Sequence, residues 1–162
     1  MVATTISAVV FAGIMAAYLF LGRNLTRLVN VQQEEVESRR ALRLVTADVS
    51  AAIALTTASS SVMVLTKPTS GGTTTVTYTY SSGGGTLVRT EGGGNVTVLT
   101  GLTAFTFTYY NEGGTAITST TNSMKSVEMS FTSSAGSSGS GTLARYSTVS
   151  PRMILRNKQL LL

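Results

Sequence analysis

The first 22 residues, MVATTISAVVFAGIMAAYLFLG, carry no charged side chain, and the first charge is Arg23. At 1.5 Å per residue such a run makes a helix about 33 Å long, enough to cross a hydrocarbon layer of about 30 Å. A secretory signal has a basic start and a shorter apolar centre, of about 7–15 residues. This segment is longer and has no Lys or Arg before Arg23, so the expectation is a membrane-spanning anchor. Within it Ala8, Ala12 and Ala16 recur every four residues, with Gly13 and Ala17 beside them. That stripe is nearly free of bulk and lets another helix approach closely, which makes these five residues the helix-packing candidates. Small residues are also common in membrane helices for no special reason.

Beyond Gly22 no proline occurs until Pro68. Apolar residues at Leu25, Leu28/Val29, Val36, Leu42, Val45, Val49 and Ile53 follow helical steps of three, four and seven. Arg23, Arg27, Glu34, Glu35, Glu37, Arg39, Arg40 and Arg43 form the polar side, and Glu35 with Arg39 makes an i,i+4 pair worth about 0.3 kcal/mol. With nothing to break it at the membrane edge, a single helix is predicted over residues 1 to about 57, roughly 85 Å long. It should end among the hydroxyl side chains of residues 56–61, which compete for backbone hydrogen bonds. The chain then divides into 1–22 (apolar helix), 23–60 (its amphipathic continuation) and 61–162 (a β domain).

From residue 62 the apolar period falls from 3.6 to 2. Val76, Tyr78 and Tyr80 alternate with threonines, as do Phe105, Phe107 and Tyr109, while Val127, Met129 and Phe131 alternate with Ser126, Glu128 and Ser130. Shorter strands are predicted at Val62–Thr66, Thr86–Thr90, Val96–Leu99 and Leu143–Val149, separated by glycine-rich turns. The fold class is therefore α+β: a long N-terminal helix whose distal half, Val36 to Ile53, covers one face of a C-terminal antiparallel sheet.

Composition removes several functions. With no His and no Cys there is no disulfide, zinc finger, Ser-His-Asp triad or Cys-His nucleophile. The sheet's acids are Glu91, Glu112 and Glu128, the first two in glycine turns where solvation is expected, so no catalytic pair, metal ligand set or cofactor site is predicted. An anchored enzyme would have to work through those three glutamates. The net charge of +5 is spread without a basic run, so nucleic acid is not expected as a ligand. Gly83–Gly85 and Gly92–Gly94 lack the Lys-Ser/Thr ending and following helix of a phosphate loop and read as hairpin turns. Asn24-Leu25-Thr26 and Asn95-Val96-Thr97 match the glycosylation pattern, a signal at chance level. Of the 162 residues 47 are Ser or Thr, which suits a hydroxylated sheet outside the cytoplasm.

This order, an uncharged helix leading into an amphipathic one and then a small sheet, resembles the type IV pilins and the pseudopilins of type II secretion. Met1-Val2-Ala3-Thr4-Thr5-Ile6-Ser7-Ala8 is similar to the part of the pilin N-terminus that follows a Phe-Thr-Leu-x-Glu signature, and residues 41–49, ALRLVTADV, resemble the arginine-then-acid stretch of large minor pilins. Residues 85–90, 99–110, 127–130 and 155–157 are similar to the J-type minor pseudopilins and related minor pilins. The resemblance implies a structural subunit, not an enzyme, held in a bacterial inner membrane before assembly. Its partners would be other pilin or pseudopilin subunits, inner-membrane lipid and, indirectly, an assembly platform and motor ATPase. It also implies a basic leader, a cleavage point and a glutamate, expected upstream of Met1. The different reading from the residues alone is a monomeric, membrane-anchored β domain that binds a periplasmic partner.

Overall fold

The structure, a computed structural model, describes residues 2–118, 121–135 and 144–157. Helix α1 spans Val2–Ala51 and passes Gly22 and Arg23 without a break. Its 50 residues extend about 75 Å. It ends some six residues before the predicted end near residue 57, because Ala54–Ala58 forms strand β1. The Ile53 amide donates to the Thr66 carbonyl at 2.9 Å, and the strand pairs onward from Ala54. A β-branched, half-buried run gains more as a sheet edge than as another helical turn.

Nor is the apolar seam continuous. Leu25 and Val36 remain 56% and 64% exposed, whereas Ala41, Val45, Val49 and Ala52 are fully buried. Full burial against the β domain therefore begins at Ala41, although the helix already passes close to it at Glu34, near Gly101. The six-residue step from Val36 to Leu42 carries the seam part-way round the helix, so the two stretches occupy different faces.

Two antiparallel five-stranded sheets follow where one was expected. The first is a meander of β1, β2 (Val62–Thr69), β3 (Gly72–Ser81), β4 (Thr86–Glu91) and β5 (Gly94–Leu99). The second comprises β6 (Leu102–Tyr110), β7 (Ala116–Ile117), β8 (Ser126–Ala135), β9 (Ala144–Val149) and β10 (Met153–Ile154), with β8 central. Six of the seven predicted strands fall inside observed ones, and the seventh differs only at Leu143, which lies outside the described residues. The two-residue strands β7 and β10 are too short to show a period.

The sheets are joined by backbone as well as by core. Gly85 has φ +57°, and a Cβ there would stand 2.7 Å from the Leu102 carbonyl oxygen, so only glycine lets the β3–β4 turn sit where Leu102 donates to its carbonyl at 2.9 Å. On the other side, the β1–β2 turn accepts from the Phe107 amide at Ser60 and from the Tyr109 hydroxyl at Ser59. Strands β9 and β10 share one edge of β8, with Ser150 between them. Its amide donates to the Met129 carbonyl, and its hydroxyl accepts from the Met129 amide, each at 2.8 Å. The end of α1 touches β2 and β5 of the first sheet and β8 and β10 of the second, and all contribute to one buried cluster.

Candidate functional site

Two surfaces of α1 differ in chemistry. Over Val9–Thr26 the helix is long and apolar enough to be a membrane span or a signal sequence, and none of that stretch is buried. Ala12, Gly13, Ala16 and Ala17 are all exposed, and nothing lies within 4 Å of a Cβ built on Gly13. Ala8 is helical, but its side chain is outside those described. Phe11, Tyr18 and Phe20 are about 70% exposed, so the root is apolar around much of its circumference.

At the other end, α1 is clamped to the first sheet by a group of ionic side chains. Asp48 lies among Val45, Val49 and Ala52 on the buried face and is only 5% exposed. Arg89 on β4 donates to it from Nε at 2.6 Å and from Nη2 at 3.3 Å, Lys67 on β2 from Nζ at 2.7 Å, and Tyr78 on β3 from its hydroxyl at 2.6 Å. Glu91 also accepts from Arg89 and lies 3.1 Å from the Lys67 Nζ. Two acids therefore face two bases and charge is balanced. Among the described residues no buried side-chain polar atom lacks a partner.

The electrostatics hold every member in one state. Burial pushes the Asp48 carboxyl up, but hydrogen bonds from Arg89, Lys67 and Tyr78 outweigh it, and the net displacement is downward. Glu91 is lowered chiefly by Arg89 and then by Lys67. Burial draws Lys67 down, yet the bonds to Asp48 and Glu91 leave it raised. Arg89 is raised first by Asp48, and Tyr78 is raised far out of range by burial and then by its bond to Asp48. No member is poised to exchange a proton near neutral pH. The arrangement can bear load between helix and sheet, but it is not set for acid–base chemistry.

Glu91 is thus an ion-pair partner rather than the solvated turn residue expected from its neighbours. Glu112 is exposed in the Asn111–Gly114 turn, and the nearest cation to Glu128 is Arg152, at 3.9 Å. These three acids are not brought together, and among the described residues no three potential metal ligands cluster. The predicted Glu35–Arg39 pair is present at 2.5 Å on the exposed surface. Sequence reasoning passed over the Asp48 clamp. Its signal was an acid three and four residues from buried valine and alanine positions, a place where a charge persists only with partners. No family model matches the chain, and no curated protein matches it.

Proposed function

We propose that this chain is a structural subunit, of minor pilin or minor pseudopilin kind, of a type IV pilus or type II secretion filament. It waits in the inner membrane on the apolar root of α1 and then enters a polymer in which such roots pack together. The observation that carries this reading is one unbroken helix, bare over Val9–Thr26 and buried against two sheets from Ala41. A detachable anchor needs no such stiffness. A rod that must hold a surface domain at a set height above a packed core does. Moving the root from lipid to a filament core changes its apolar exposure little, so the exchange is nearly balanced and an external motor can drive it either way.

Shearing cells and probing the released filaments tests the proposal. The chain should appear in the sheared fraction. Its confinement to the membrane fraction would favour the monomeric anchored domain instead. Reading the codons upstream of Met1 is a second test, since a Gly-Phe-Thr-Leu-x-Glu run there would support the family strongly.

A further inference from the structure

Where α1 meets the second sheet, a groove of about 650 Å³ runs along the helix. Arg39, Leu42, Arg43, Ala47 and Ser50 form its helical side, and Pro151, between β9 and β10, stands opposite. Leu42 is only half-buried against the core, and Ala47 and Pro151 are exposed, so apolar carbon faces the opening. At Arg39 and Leu42 the groove meets a second cavity, of about 420 Å³, walled by Glu34, Ser38, Ser133 and Thr148. Lipid is not the cover, since Arg39 stands about 20 Å along the helix beyond Thr26, where the apolar stretch ends.

The chain itself leads to this groove. Thr148 lies by Ser38, whereas Asn157 places its Nδ2 3.5 Å from the Ser50 carbonyl oxygen, so the segment from β9 through β10 follows α1 in the same direction. Leu155 is buried, and a turn at Arg156 and Asn157 follows at the Ser50 end of the groove. The next residues, Lys158-Gln159-Leu160-Leu161-Leu162, lie outside the described residues and include three adjacent leucines, which gain by leaving water.

We propose that Lys158–Leu162 turns back along α1 and seats its leucines in this groove, over Leu42, Ala47 and Pro151. Length fits the seat. Taken extended from Asn157 at about 3.3 Å per residue, Leu160 is about 10 Å on and Leu162 about 16 Å on. Along α1, at 1.5 Å per residue, Arg43 is about 10 Å and Arg39 about 16 Å before Ser50. The leucines therefore come level with the stretch that holds Leu42, while Lys158 and Gln159 pass the hydroxyls of Ser50 and Thr46. Asp48 ties α1 to the first sheet, and the tail ties it to the second, so the end of the helix is gripped from two sides. The inference stands apart from the filament reading.

The chain has no cysteine, so introduced thiols report without background. In the detergent-solubilised full chain, Arg43→Cys/Leu160→Cys should close a disulfide within one chain about fivefold faster than Arg40→Cys/Leu160→Cys, whose helical thiol faces β5 instead. Equal rates would overturn the proposal, and a link between two chains would replace it with the tail of a second copy. Leu160→Ser/Leu161→Ser/Leu162→Ser gives a readout without cysteines. Hydrogen exchange of the α1 amides from Leu42 to Ser50 should rise about tenfold while the β3 and β4 amides hold, because only the end of the helix loses its cover. Unchanged exchange in that stretch, or an equal rise in both sheets, would overturn the seat in the groove.

Discussion

The two ends of α1 are parts of one uninterrupted helix, yet they are stabilised by opposite means. From Ala41 to Ala51 the helix buries valine and alanine against two sheets and is tied down by an acid with three donors. From Val9 to Val36 the described large apolar side chains are all more than half exposed. The difference teaches that helix continuity and helix packing are separate properties here. The backbone period persists throughout, while full burial of apolar side chains is confined to the last three turns.

The sharpest way to break this contrast is at the clamp. Asp48→Ala leaves Lys67, Arg89 and Tyr78 without their shared acceptor in a buried setting and should cost about 3–5 kcal/mol. Denaturant unfolding of the detergent-solubilised full chain, followed by tyrosine near-ultraviolet circular dichroism, would measure it, since the chain has no Trp. A loss below about 1 kcal/mol would show that the apolar contacts alone hold the helix to the sheets. Val45→Ala, at a fully buried site, should cost about 2 kcal/mol through lost transfer energy and a small cavity.

Acid provides a titration of the same contrast. The folded values of Asp48 and Glu91 lie below their unfolded values, so their contribution is complete above the ordinary carboxylate range near pH 4 and is lost as pH falls through the lowered values. Unfolding midpoints should be flat from pH 8 to about pH 5 and fall below about pH 4, with a shallower fall in Asp48→Ala. At the root the expectation reverses. Val29→Ser, at an exposed site, should change unfolding free energy by less than about 0.5 kcal/mol, and Arg39→Ala, which breaks an exposed pair, should be smaller still.

The helix, the strands and most of the turns were legible because each writes its period into neighbouring residues. The last six residues of the predicted helix were not, since Ile53 and Leu55 fit either period and only the β2 edge decides between them. Two sheets rather than one were also hidden. The short link at residues 100–101 reads like another hairpin, but β6 pairs with β8, beyond the intervening β7, and no local signal reports a partner so distant. The clamp was half visible. Asp48 stands out as a charge on a buried stripe, but Lys67, Arg89 and Glu91 converge on it only once β2, β3 and β4 are in register.

A rod without a joint also transmits force. A pull on its root would travel along one continuous helix to the segment where Asp48 is bonded to the first sheet. The Asp48 bonds and the buried valines beside them therefore share that strain, and a weakened clamp would shift it onto apolar contacts alone.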